Sequence, residues 1–243
     1  MTPNLPIPTI AVVGSRHSGK TATVEVVVRG LANKGYKVAT AKHIPDPNFT
    51  IDTKGRDTWR HTEAGAQITT AVAPKEIATI KKTDTTKLSL GDITKNCNDN
   101  TEIIILEGFR SLIAQNLTVP KIISVRNSQE INEATKTFKP ILAFTTISPR
   151  DKFKETKTPL LNIQNETKEL IKIIDKRIGP IIAKRREPGD FTSIEINDTP
   201  LPLNPFVQKV TRNVLLAILS TLKGTTLEGN ENIRIKITKN HKI

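Results

Sequence analysis

Apolar residues along this chain fall into two rhythms. Short unbroken runs, Thr9-Ile10-Ala11-Val12-Val13 and Ile103-Ile104-Ile105-Leu106, read as strands buried on both faces. Other stretches repeat apolar positions every three or four residues. Val24, Val27, Val28 and Leu31 predict a helix over 21–33 that Gly35 ends, and Leu170, Ile171, Ile173 and Ile174 predict another over 166–178. Further strands are expected at 36–41, 121–125 and 140–145, with a helical segment over 130–138. A small-residue helical segment at 62–66 precedes two short β-rich runs at 68–72 and 76–80. Residues 81–100 read as an irregular helix or partly as loop. Strands alternating with helices predict an α/β domain over 1–178, a mostly parallel sheet with helices on both faces.

The rhythm changes after that. Residues 179–189 carry Pro180, Lys184, Arg185, Arg186 and Pro188, a composition that reads as a linker. Beyond it, 191–196 alternates as a strand, Asn197-Asp198-Thr199-Pro200 is a turn, and 204–223 is amphipathic. Val207, Val210, Val214, Leu215, Ile218 and Leu222 share one face of that helix, Gly224 stops it, and 233–237 alternates again. The expectation is a small β-β-α-β module over 190–243.

At 243 residues with 36% hydrophobic content, the chain can build a real core. No apolar run reaches the length of a membrane span, and residues 1–8 have neither a basic start nor an apolar h-region, so neither a membrane protein nor a signal peptide is expected. The single cysteine, Cys97, excludes an internal disulfide and fits a cytoplasmic protein. A net charge of +13 calls for an anionic partner. Aromatic residues are only 4%, too few for base-stacking platforms, and the cations are scattered, which reads against nucleic acid.

The chemistry centres on Gly14-Ser15-Arg16-His17-Ser18-Gly19-Lys20-Thr21. It fits the phosphate-binding P-loop pattern of Gly, four residues, Gly, Lys and Ser or Thr. A buried strand precedes it and a helix follows, the context in which backbone N–H groups and the positive helix end face an anion. Lys20 would reach the β- and γ-phosphates, and the Thr21 hydroxyl would bind Mg²⁺. The domain is therefore expected to be of P-loop NTPase type. Glu107, directly after a buried strand and followed by Gly108, is a candidate to order magnesium or water. Asp52 and Asp57 are further metal candidates, with helix capping as their alternative role. Lys42 would add a second cation against the phosphates. No zinc spacing is present around His43 or His61.

These pieces together resemble the MobB family, the molybdopterin-guanine dinucleotide biosynthesis adaptor proteins. The resemblance is carried by Gly14 to Thr21, Lys42-His43, the stretch Asp52-Thr53-Lys54-Gly55-Arg56-Asp57-Thr58, Ala64-Gly65-Ala66 and Glu107-Gly108-Phe109-Arg110. It covers about residues 9–150 and leaves the C-terminal module outside the minimal family protein. It implies a homodimer that binds GTP with Mg²⁺, hydrolyses it slowly at most, and assists the guanylyltransferase MobA in attaching GMP to molybdopterin. By the same resemblance Thr21, Asp52 and Glu107 surround the metal, and His43, Lys54, Gly55, Asp57 and Gly108 belong to the family pattern. In place of further histidines after Lys42-His43 the chain has Ile44-Pro45-Asp46-Pro47, and it has no Asn-Lys-x-Asp motif to read guanine. An ATP-dependent phosphoryl-transfer or ligase enzyme of dethiobiotin-synthetase-like fold is the alternative, since it shares the P-loop, the following lysine and the strand-end Glu-Gly.

Overall fold

The computed structural model describes residue 5 and residues 7–97, 100–186, 192–196 and 199–222. The expected strand at 233–237 and Gly224 lie outside the described residues. The chain divides into two compact units, 1–180 and 181–243.

The first unit is built on six parallel strands. They are β1 (Thr9–Gly14), β2 (Val38–Lys42), β5 (Ile103–Glu107), β6 (Lys121–Ser124), β7 (Ile141–Thr146) and β8 (Leu160–Asn162), in the order β2-β5-β1-β6-β7-β8. Every residue of β5 is buried, as the unbroken apolar run requires of a strand covered on both faces. Ala11, Val13, Ile104, Leu106 and Ile123 join one core cluster with Leu90 of α3 (Leu90–Lys95), Ile113 of α4 (Arg110–Ile113) and Ile131 and Ala134 of α5 (Ser128–Thr137). The alternate residues Ile10, Val12, Ile103, Ile105 and Ile122 are fully buried on the opposite face. There α1 (Lys20–Asn33) buries Val24, Val27 and Leu31. Helix α6 (Thr167–Arg186) comes so close to α1 that a Cβ on Gly30 would stand 2.4 Å from Ile171 Cδ1. The expected α/β sheet is present.

Some local expectations differ from what is observed and others hold. The helical segment expected at 62–66 is the end of α2 (Asp57–Glu63), which stops because Gly65 takes φ 109°. The two β-rich runs are strands as expected, β3 (Ile68–Ala73) and β4 (Glu76–Lys81), paired as an antiparallel hairpin in a sheet of its own. Residues 81–100 are partly loop, one of the two expected readings: among the described residues there only α3 is helical, and a Ser89–Asp92 capping box sets its start. Residues 179–186, expected to open a linker, continue α6 through Pro180. The apolar stripe Leu170, Ile174, Ile178 and Ile182 is buried along its length, and that periodicity carries the helix past the one N–H that proline removes.

In the second unit, β9 (Glu195–Ile196) pairs antiparallel with β10 (Thr199–Pro200). Helix α7 (Pro205–Ser220) begins at Asn204, whose side chain accepts from the Val207 N–H at 2.9 Å, with Pro205 at the first helical position.

Candidate functional site

Strand β1 delivers Gly14 to the C-terminal edge of the sheet, and α1 starts six residues later. The turn between them needs left-handed backbone at His17 (φ 61°) and Gly19 (φ 88°). Gly14 has no room for a side chain, since a Cβ there would lie 2.3 Å from the Ser124 carbonyl oxygen. The Ser15 carbonyl accepts from the Ser18 hydroxyl at 2.9 Å and from the Lys20 ammonium, which draws the loop around a single oxygen. Beneath it the hydroxyls of Thr23, Ser124 and Thr145 form a buried triangle with sides of 3.1 Å, tying α1 to β6 and β7.

Glu107, at the end of β5, is 9% exposed. Its Oε1 accepts from the Thr21 hydroxyl at 3.0 Å and lies 3.2 Å from Lys42 Nζ. The parallel register sets Lys42 beside Glu107, and the His43 N–H donates to the Glu107 carbonyl at 2.9 Å. The chain then turns sharply through Gly108 (φ 89°) and Phe109 (φ 57°), where a Cβ on Gly108 would lie 3.3 Å from His43 Cβ. The His43 ring stands 5.4 Å from that of Phe109. This turn brings Arg110 toward the loop. Burial lowers the Lys20 pKa, Glu107 opposes the shift, and the positive charges of Arg110 and Lys42 lower it further. Lys20 and Lys42 thus stand by one buried carboxylate, and Arg110, stacked 5.0 Å over the Phe138 ring, adds positive charge near Lys20, an arrangement suited to a polyanion.

A second carboxylate braces the other side of the loop. Glu130 of α5 accepts from the Ser15 hydroxyl at 2.9 Å and from the Arg126 guanidinium at 2.6 and 2.8 Å. Burial raises its pKa, but the hydrogen bonds from Arg126 and Ser15 outweigh this and leave it lowered. Sequence reasoning missed Arg126 and Glu130, and it met Arg110 only as part of the family pattern, without a role. They are charged residues at element ends, and only the fold shows which of those ends converge.

The structure brings Gly14 through Thr21, Lys42, His43, Glu107 and Gly108 together. Asp52 and Asp57 belong to the entry of α2. Asp52 Oδ1 accepts from the Thr53 N–H at 2.9 Å and the Thr58 hydroxyl at 2.8 Å, while its Oδ2 is buried with no hydrogen-bond partner. Asp57 is exposed, 3.8 Å from Arg60, and Lys54 and Gly55 (φ 86°) form the exposed turn between the two. Among the described residues no hydrogen bond or ion pair joins Asp52 to Thr21 or Glu107, and no cluster of three or more His, Cys, Asp or Glu side chains is placed to hold a metal. Thr21 and Glu107 fit Mg²⁺ as a pair of hard oxygen donors, because that ion keeps several waters and takes its remaining ligands from phosphate.

A parallel sheet with a glycine loop between its central strand and the following helix, and cations around that loop, defines a P-loop α/β protein. The sequence model of the family described as molybdopterin guanine dinucleotide synthesis protein B, MobB, matches residues 9–146, and the chain belongs to this family. A Methanocaldococcus jannaschii protein, named as a candidate molybdopterin-guanine dinucleotide biosynthesis adapter, is 25% identical over 244 residues, 95% of this chain and 98% of its own. That similarity runs through the C-terminal unit as well, which the sequence resemblance leaves outside the minimal family protein. The Haemophilus influenzae adapter protein of the same name is 29% identical over 109 residues, 44% of this chain and 60% of its own. Among solved structures, Bacillus subtilis MobB shares the fold with a TM-score of 0.57 and 17% identity, over 71% of this chain and 98% of that one. The Bacillus stearothermophilus MobB homologue gives 0.53 and 18%, over 72% and 99%. No helix among the described residues is long and apolar enough to cross a membrane.

Proposed function

We propose that this protein is a GTP-binding accessory factor of the cytoplasm that assists a MobA-type guanylyltransferase in attaching GMP to molybdopterin. The observation that carries the reading is the Thr21–Glu107–Lys42 cluster set against the P-loop in a chain of the MobB family. In this reading Gly14 to Thr21 and Lys42 hold the phosphates. Lys20 turns from the Ser15 carbonyl to the β- and γ-phosphates, and Arg110 adds charge from the opposite bank. Thr21 and Glu107 hold Mg²⁺, which neutralises phosphate charge. Asp52, whose buried Oδ2 has no hydrogen-bond partner, is the third residue of the metal site, set at the α2 entry. Lys54, Gly55 and Asp57 shape that same turn. Hydrolysis is slow at most, as the family resemblance implies.

The test is a titration with Mg²⁺ and GTP or ATP on the wild type and on Lys20→Ala, followed by thermal unfolding. Ligand stabilisation grows as the logarithm of concentration over Kd, about 2.7 kcal/mol at a hundredfold excess over Kd. GTP should stabilise the wild type and leave Lys20→Ala unmoved. Equal response to ATP, or a preference for it, would instead favour the phosphoryl-transfer or ligase alternative.

A further inference from the structure

Along the C-terminal edge of the sheet, Lys42, Glu107 and Thr21 gather on the β2–β5 side of β1. A triphosphate whose metal and terminal group sit there leaves the P-loop toward β6, β7 and β8. Its nucleoside then lies over the segment after β7. Ile147, the first residue of that segment, is seated against the loop. A Cβ on Gly19 would stand 2.9 Å from Ile147 Cγ2, yet Ile147 remains 42% exposed, an apolar surface beside the phosphate site.

Beyond Ile147, the 3-10 turn Arg150–Lys152 and the β8–α6 junction border a cavity of about 640 Å³ lined by Pro149, Arg150, Asn162, Asn165 and Glu166. This size lies within the ~300–1,000 Å³ of small-molecule sites. Its polar groups are held in place by one another. Glu166 Oε1 accepts from Arg150 Nη1 at 3.0 Å and Oε2 from the Asn162 N–H at 2.8 Å. Asn162 Nδ2 donates to the Ser148 carbonyl at 3.0 Å, and its Oδ1 accepts from the Gln164 N–H at 2.9 Å. A carboxylate oxygen has two acceptor positions, so each Glu166 oxygen keeps room for one more donor.

We propose that this cavity receives the base of the nucleotide and that Glu166 selects guanine. The proposal rests on the nucleotide-binding reading above. Guanine offers N1–H and a 2-amino group side by side, the donor pair that a fixed carboxylate complements. Adenine turns the N1 lone pair to the same place and meets the carboxylate with repulsion. A glutamate at the entry of α6 thereby supplies the discrimination that the absent Asn-Lys-x-Asp motif supplies elsewhere.

The test is calorimetric titration of the full chain, with Mg²⁺, against GTP, ATP, xanthosine triphosphate and inorganic tripolyphosphate. Glu166→Gln should weaken GTP about tenfold or more, because a polar complement is lost at the base. It should strengthen xanthosine triphosphate, whose 2-oxo group accepts from the new amide while N1–H still finds an acceptor. Tripolyphosphate affinity should not change. Asn165→Trp, which fills the cavity from outside the hydrogen-bond set, should weaken both nucleotides and spare tripolyphosphate. Unchanged GTP affinity in either variant overturns the base site, as does parallel loss of tripolyphosphate in both. A wild type that binds tripolyphosphate but does not favour GTP over ATP overturns the guanine assignment alone. A wild type that binds none of the four overturns the nucleotide reading itself.

Discussion

Lys121 is fully buried at the start of β6, and its ammonium donates to the carbonyls of Asn116 and Lys139 at 2.5 and 2.6 Å. Burial pulls its pKa from 10.5 down to about 8. The unfolded chain keeps the ordinary value, so between these limits the unfolded state binds more protons and stability rises with pH; below about pH 8 the cost of an enclosed ammonium is fully present. A neutral amine still donates to both carbonyls, so deprotonation keeps the hydrogen bonds. Lys121→Met removes the titration. The difference in unfolding free energy, wild type minus variant, should therefore move in favour of the wild type as pH rises from about 7.5 to about 10. Urea unfolding of both proteins across that range measures it, and a flat difference would contradict it. Lys20, whose pKa is also lowered, differs in kind. Its discomfort comes from burial together with the cations Arg110 and Lys42, and a bound polyanion relieves it.

At the scale of elements, the P-loop is as much a packing device as a chemical one. Gly14 lets β1 pass the Ser124 carbonyl, and the backbone oxygen there has no rotamer by which to yield. Gly14→Ala should cost about 1–3 kcal/mol. In a domain of this size that corresponds to about 2–4 °C in Tm per kcal/mol, and scanning calorimetry would show it; an unchanged Tm would be incompatible with the contact. Much of this architecture was legible beforehand. β1, β5 and α1 are strongly patterned, and the glycine loop between them has one structural meaning. Other elements escaped for physical reasons. β8 has only three residues and α4 only four, too short for any period to register. α6 overran its expected end because burial of Ile178 and Ile182 outweighs Pro180, a tertiary effect that composition does not display. Asp52 was marked by its motif, while its local geometry came only with the fold: Oδ1 accepts from Thr53 and Thr58 within the entry of α2. Arg110 and Glu130 needed the fold itself, since the loop they reach lies about 90 and 115 positions away in sequence.

At the scale of the molecule, the hairpin β3–β4 presents an exposed apolar face. Its register places Val72 opposite Ile77, Thr70 opposite Thr79 and Ile68 opposite Lys81, so these six residues share one face. The other face carries Thr69, buried with its hydroxyl 3.3 Å from that of Thr62 in α2. The face turned away from the protein is thus the one bearing large apolar side chains, with Ile68 55%, Val72 76% and Ile77 70% exposed. Isolated two-stranded hairpins are marginal in water, and exposed apolar strand faces mark interaction surfaces. The homodimer implied by the family resemblance would bury this face between two copies. Val72→Asp together with Ile77→Asp places two like charges at the centre of the face, where burial is costly. Sedimentation velocity should show a dimer for the wild type and a monomer for the double variant. The P-loop and Glu107 lie outside the hairpin, so each chain of the variant should still bind Mg²⁺ and GTP in titration. A dimer that survives both substitutions would remove the hairpin as its interface.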